Sequence, residues 1–390
     1  MKTNTQEGDA GESHSVEERK GLVTCRAGLE RVVAEELRDL DVEVTRIGTR
    51  AVFIRTDLTG IYRANLGLRS ALNVLVPIRS FHARNYDMLY FQSRKTFWHK
   101  MFAVDRNLRI DVNGGSSQLR NTEYVVHRIK DGIVDTFRKL CSGQRPSIDK
   151  RNPDVHIVAH LDGPRVTLCM DTSGQPLFKR GYREEHGEAP LKEDLAAGIL
   201  ALGGWRGDKP LCDPMCGSGT LLYEAWMRAA GLAPNLQRKF GFTSLYEYDS
   251  RAHTTAMTQL RSRQNPPSSE LRMLGVESDP GSFRVSEKIQ REYFPEAPLT
   301  LRQGDFRDLG TLPPETFVVC NPPYGKRIGR DADLPKLYRD LGNFLRIPDG
   351  FRRAAIFTAY PDAVEALGIP PRKTISLYNG AIPCQLLCYG

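Results

Sequence analysis

The stretch Leu211-Cys212-Asp213-Pro214-Met215-Cys216-Gly217-Ser218-Gly219-Thr220 decides the fold. Leu211–Asp213 reads as the end of a short strand, and Leu221–Ala230 as a helix closed by Gly231 as its C-cap. Strand, glycine-rich turn, helix is how a doubly wound α/β sheet opens a ligand site at the carboxyl ends of its strands. The glycines let the backbone approach the ligand closely. A full G-x-G-x-x-G is absent, because Leu222 stands where the third glycine belongs, and no Lys-Ser/Thr follows the glycines. These departures disfavour a dinucleotide site and a Walker-type phosphate loop.

Three further strand ends follow. Gly275-Val276-Glu277-Ser278-Asp279 puts Glu277 where a carboxylate can take both hydroxyls of a ribose. Asp279 joins the candidate set, and it fits a helix cap better than Glu277 does. Leu299–Arg302 ends in Gln303-Gly304-Asp305-Phe306, where Asp305 can accept from an adenine amino group and Phe306 can pack on its ring. The last is Phe317–Gly325, FVVCNPPYG. Its β-branched run reads as a buried strand, and Pro322 and Pro323 force the chain to turn. The Asn321 amide oxygen and the Pro322 carbonyl can accept both hydrogens of an –NH2 group, while Tyr324 can stack on the ring carrying it. This is equipment for an amino-bearing nucleobase.

The chain has 390 residues, enough for two or three domains, with 40% hydrophobic and 26% charged residues. No apolar stretch approaches the ~20 residues needed to span a bilayer. The amino terminus lacks a basic segment followed by an apolar core, so no secretory signal is expected and a cytoplasmic location is. The eight cysteines form no C-x-x-C pair and have no histidines near them in a zinc pattern. They read as reduced, mostly buried thiols, and no metal is expected. A formal charge of +8 points to a polyanionic partner.

Residues 1–19 are polar and read as a disordered tail. Residues 20–75 follow a β-α-β-β-α pattern, with helices over Gly28–Leu40 and Leu58–Leu75. Residues 76–171 continue as strand, helix, strand, a long helix over Asn121–Leu140, and a hairpin turned by Asp162-Gly163-Pro164. Basic residues are frequent here, among them Arg120, Lys130 and Lys150, and with Asn121 they form a candidate phosphate-contacting surface. Residues 172–188 read as a linker into the last domain, 189–390.

Asp213–Thr220, D-P-M-C-G-S-G-T, is similar to the cofactor loop of class I S-adenosylmethionine-dependent methyltransferases. Beyond it, the chain resembles the bacterial methyltransferases that place one methyl on a guanine N2 of large-subunit ribosomal RNA. The resemblance covers nearly everything after residue 20. Its carriers include Thr24–Glu30, Tyr62–Leu66, Leu119–Thr122, Val155–Asp171, Phe178–Arg183, Glu188–Glu193, the cofactor loop, NPPYG and Leu377-Tyr378-Asn379-Gly380. It implies an α+β ferredoxin-like and THUMP RNA-binding half, then an α/β Rossmann-like methyltransferase domain without the second methyltransferase fused to some relatives. For S-adenosyl-L-methionine it implies contacts at Pro190, Lys192, Pro214, Cys216 and Thr220 beside Asp213, Gly217, Gly219, Glu277, Asp279, Asp305 and Phe306. The catalytic set becomes Asn321, Pro322, Pro323 and Tyr324. RNA contacts extend to Lys179, Arg180, Lys326 and Arg327, with Lys326 standing where many relatives carry an acid. Tyr223 and Trp226 are bulkier than expected on the first helix. Ribosomal RNA is the expected partner, with transfer RNA the nearest alternative. Adenine N6 in RNA or DNA, and a non-catalytic ribosome-assembly role, stay open at this point, as does the oligomeric state.

Overall fold

A computed structural model of the protein describes residues 17–182, 191–265, 268, 270–324, 333–348 and 350–390. The first sheet takes β1 (Arg19–Cys25), β2 (Glu43–Gly48), β3 (Ala51–Thr56), β4 (Ala71–His82), β5 (Asn107–Gly115), β6 (Ser147–Ile148), β7 (Val155–Asp162) and β8 (Arg165–Asp171). Their order is β2-β3-β1-β4-β8-β7-β5-β6. Helices α1 (Glu30–Asp39), α2 (Leu58–Gly67), α3 (Tyr86–Arg94) and α4 (Thr122–Leu140) share one apolar core with it. Strand β4 joins the two halves, because it pairs with β1 through Leu22↔Leu75 and with β8 from Leu75 to His82. A boundary at residue 75 therefore cuts a strand rather than a linker.

The helix expected over Leu58–Leu75 stops at Gly67, and Leu72 and Leu75 lie in β4. Their apolar spacing suits a helix, but β1 and β8 offer a two-sided ladder that overrides that local pattern. Asn121 caps α4, its side-chain oxygen accepting from Tyr124 N at 3.0 Å.

The second sheet takes β9 (Leu211–Asp213), β10 (Met273–Glu277), β11 (Leu299–Gln303), β12 (Phe317–Cys320), β15 (Ala354–Thr358), β16 (Lys373–Asn379) and β17 (Ile382–Tyr389). A separate two-stranded ribbon, β13 (Arg346–Ile347) with β14 (Gly350–Phe351), precedes β15. The order is β11-β10-β9-β12-β15-β17-β16, parallel from β11 to β15, with β17 antiparallel to both its neighbours. The chain runs outward from β9 to β11 and then returns to β12 on β9's other side. That reversal between β9 and β12 is a topological switch point, which opens a crevice at the strands' carboxyl ends. The helices of this half are α5 (Glu193–Leu202), α6 (Thr220–Ala229), α7 (Ser250–Arg261), α8 (Pro280–Tyr293), α9 (Leu334–Leu345) and α10 (Ala363–Leu367).

The two halves interlock. The segment between α6 and β10 sends Phe240, Phe242, Leu245, Ala256 and Leu260 into the first core, where the Phe242 ring lies 4.4 Å from that of Tyr62. The stretch expected as a linker is packed over 172–182: Ser173 Oγ donates to Asn65 Oδ1 at 2.6 Å, and Leu177 is fully buried. Arg180 is buried too, paired with Glu224 on α6 at 3.3 Å. Arg26 adds a two-pronged bond to Asp194, at 2.6 and 3.0 Å.

All eight cysteines are free, and six are buried. Among the described residues no helix is long and apolar enough to cross a membrane. No group of three or more His, Cys, Asp or Glu among them is placed to hold a metal ion.

Candidate active site

Four strands deliver their ends to one cavity of about 1000 Å³. Asp213 comes from β9, Glu277 from β10, Asp305 and Phe306 from beyond β11, and Asn321 from beyond β12. Pro214, Cys216, Gly217, Thr220, Asp279 and Pro323 line it as well. These are residues far apart in sequence, brought together because parallel strands all point the same way.

Asp213 is 1% exposed and accepts from Met215 N at 3.2 Å. Burial pushes its carboxyl up to about 8, with Glu277 adding to the rise and the Met215 N–H opposing it. Glu277 accepts from Gly217 N with one oxygen and from Asp279 N with the other, both at 2.7 Å. Each oxygen keeps a second lone pair for a ligand hydroxyl. Asp279 caps α8 by accepting from Ser282 N at 2.7 Å, and that bond holds its carboxyl below the usual range. Burial raises the Cys216 and Cys320 thiols far above the ordinary value, which makes both poor nucleophiles.

Asp305 accepts from Arg307 N at 2.9 Å and pairs with the Arg307 guanidinium at 2.7 Å. Arg307 also bonds Asp340 on α9 at 2.7 Å and lies over the Phe306 ring, 5.3 Å from its centroid. This arginine lines the cavity and was missed in the sequence. Its signal is Asp-x-Arg, an acid and a base two apart across a helical turn, which is too common to single out. Asn321 Oδ1 is buried and has no hydrogen-bond partner among the described residues. A buried amide oxygen left open costs about 1–3 kcal/mol, so the lip of the cavity holds an acceptor awaiting a donor.

Some expected residues lie elsewhere. Gly219 does not line the cavity; a Cβ there would come within 2.6 Å of Ser286 Oγ and the Tyr223 ring, so this glycine lets α6 pack on α8. Lys192 does not line it either, and its ammonium sits over the Phe178 ring at 5.3 Å. Pro322 is buried behind the turn, and Tyr324 is 4% exposed in the core with its hydroxyl accepting from Asn379 Nδ2 at 3.0 Å. Pro190, Lys326 and Arg327 lie outside the described residues.

The RNA candidates divide. Arg180 does not fit an RNA contact: its guanidinium is 1% exposed, paired with Glu224 and donating to the Arg69 carbonyl, so it fastens the two halves. Arg120, Asn121, Lys150 and Lys179 are exposed, and Lys130 is half-buried beside Asp131 at 3.2 Å. Arg120 and Lys150 stand at opposite ends of β5. Arg120 follows the end of β5, whereas Lys150 bonds through its carbonyl to Arg109 near the start of β5. Those points are about 20 Å apart at roughly 3.3 Å per residue.

The cavity's acidic side chains, glycine loop, Phe306 ring and Asn321 amide suit a nucleoside with a short polar tail. Its size also leaves room for a second ring, since ordinary ligand pockets run about 300–1,000 Å³. A parallel sheet with this switch point and a reversed final hairpin, carrying that set at its strand ends, defines a class I methyltransferase domain. The family model described as RMKL-like, methyltransferase domain, matches residues 180–387, and the chain belongs to that family. Models for an RlmL ferredoxin-like domain and a THUMP domain match residues 21–75 and 83–171.

Ribosomal RNA large subunit methyltransferase K/L of Photobacterium profundum is 34% identical over 375 residues, covering 94% of this chain and 52% of that protein. The chain thus spans about half the length of the curated relatives it matches. Among solved structures, a putative methyltransferase complexed with SAH is 28% identical at a TM-score of 0.85, covering 95% of this chain and 98% of that one. A predicted N6-adenine-specific DNA methylase from Listeria monocytogenes is 26% identical at a TM-score of 0.84, with 96% of both chains covered.

Proposed function

We propose that this chain methylates the exocyclic N2 of a guanine in large-subunit ribosomal RNA, in the cytoplasm, with S-adenosylmethionine as donor. The observation that carries the reading is the Asn321 Oδ1, buried and without a partner among the described residues, at the edge of a cavity flanked by Asp213, Glu277 and Asp305. The curated relatives' names supply the RNA class. Glu277 would hold the ribose of the donor, Asp305 and Phe306 its adenine, and Asp213 with the Gly217 loop its amino-acid tail. When bound, the donor supplies an electrophilic methyl on a sulfonium.

The acceptor nitrogen is a weak nucleophile because its lone pair is delocalised into the purine. Asn321 Oδ1 would accept one of its hydrogens, turning the lone pair toward the methyl and stabilising the positive charge that develops. Proximity and alignment provide the rest, which can reach roughly 7–11 kcal/mol. The extra proton leaves to solvent after transfer, so no raised thiol or histidine is needed as a base. The basic THUMP half would hold the RNA by its phosphates through Arg120 and Lys150, with Lys179 just beyond it as a further contact.

The test is methyl transfer by purified protein to unmodified large-subunit RNA, transfer RNA and adenine-containing DNA in parallel, followed by mass spectrometry of the nucleosides. N2-methylguanosine from the large-subunit RNA is the expected product. Product from transfer RNA alone, or N6-methyladenine from any acceptor, would overturn the substrate or the base.

A further inference from the structure

We propose that Asn379 is a positioning residue for the acceptor site: it fixes Tyr324, and through it the turn Asn321-Pro322-Pro323-Tyr324. The inference rests on the methyl-transfer reading above. Its geometry begins in β16, where buried Leu377 and Asn379 alternate with exposed Ser376 and Tyr378. Register sets which side chains face inward, and a slip of one residue would turn Tyr378 in and Asn379 out. The register is pinned at the tip. Asn379 pairs with Ile382 across the two-residue loop Gly380-Ala381, whose first position is the glycine that such hairpins favour.

The tip also stands in the right place. Thr358, the last residue of β15, pairs with Gln385, so residues 379–384 of the hairpin reach past the carboxyl end of β15. Cys320, which precedes Asn321, pairs with Ile356 on that same β15. There Asn379 Nδ2 donates to Tyr324 Oη at 3.0 Å, with the two residues only 9% and 4% exposed. The hairpin is braced from the other side as well: a Cβ at Gly28 would lie 2.7 Å from Leu377 Cδ2. Leu377-Tyr378-Asn379-Gly380 therefore ties the amino-terminal half to the catalytic turn through the bond between the buried Asn379 and Tyr324 side chains. Such a contact holds a ring in place because neither partner has water as a substitute.

The experiment is a double-mutant cycle on the full chain with Asn379→Leu and Tyr324→Phe, read by single-turnover methyl transfer on whichever acceptor the wild-type protein uses. Cofactor affinity by calorimetry and melting temperature are measured alongside. Each single change should slow transfer about tenfold, the double should be no slower than either, and cofactor affinity should stay within about twofold. Asn379→Ala serves where the leucine is not accommodated. Wild-type rate in the Asn379 variants, an additive double, or loss of cofactor binding in step with rate overturns the role. Transfer by wild type to an unexpected acceptor overturns only the substrate reading and leaves the cycle to decide this one. An enzyme that methylates nothing overturns both.

Discussion

Gly217 N donates to Glu277 Oε2 at 2.7 Å, joining the loop after β9 to the end of β10. The bond spans 60 residues of sequence. Together with the matching bond from Asp279 N to Oε1, it fixes the carboxylate before any ligand arrives. One side chain therefore shapes the glycine loop and offers the acceptor oxygens of the cavity.

Glu277→Ala should weaken S-adenosylmethionine binding about ten- to a hundredfold. A hydrogen bond to a charged group contributes about 1.5–3 kcal/mol, and each 1.4 kcal/mol is tenfold. Glu277→Gln should lose less, since one carbonyl oxygen remains to accept. Calorimetry on the full chain checks this, and undiminished affinity in the alanine variant would remove Glu277 from the site.

In the first sheet, His156 lies between Asp171 and Asp111, with ring nitrogens 2.7 and 2.9 Å from their carboxylates. Burial alone would lower its pKa, but bonds to Asp111 and Asp171 raise it to about 9. The same contact draws Asp111 down to about 2. Because the imidazolium is favoured in the folded state, its stabilisation is complete below about pH 6.5 and is lost as pH rises through about 9. His156→Gln should unfold at lower urea at pH 6, with the gap to wild type closing by about pH 10. A gap unchanged over that range would mean the histidine is neutral.

Breaking the buried pair should loosen the junction between the halves. Glu224→Gln leaves the Arg180 guanidinium buried without a full counter-charge, and removing one partner of such a pair costs about 3–5 kcal/mol. Tryptophan fluorescence, to which Trp226 two residues along α6 contributes, reports the unfolding. Arg180→Met combined with Glu224→Leu should be milder than Glu224→Gln alone. The reverse ranking would show that the pair contributes net stability.

The strand ends were legible because each carries its signal locally: apolar run, turn residue, acid or amide. What stayed hidden depends on contacts made at a distance. Lys192 and Gly219 sit in the right motifs yet face Phe178 and Tyr223, which spacing cannot reveal. Arg180 lies in a polar, glycine-rich stretch that reads as a connector, and its pairing with Glu224 on α6 buries it. Phe240-Gly241-Phe242 belongs by sequence to the second domain and by packing to the first. Leu72 and Leu75 kept a helical spacing inside a strand, because neighbouring strands decided their backbone.

Asn321→Ala tests the chemistry itself. The amide oxygen is buried and unbonded among the described residues, so the change removes an acceptor without breaking a contact they make. Cofactor affinity and melting temperature should therefore hold, while single-turnover transfer falls about a hundredfold or more, as with loss of one preorganised polar group at a reacting centre. Asn321→Asp is the sharper control. It keeps the acceptor, and its added charge brings a desolvation penalty beside Asp213, whose carboxyl burial has already pushed up to about 8. Its transfer should be slow at neutral pH but faster than that of Asn321→Ala. Full activity in the alanine variant would make Asn321 a turn residue alone, and the acceptor nitrogen would need another partner.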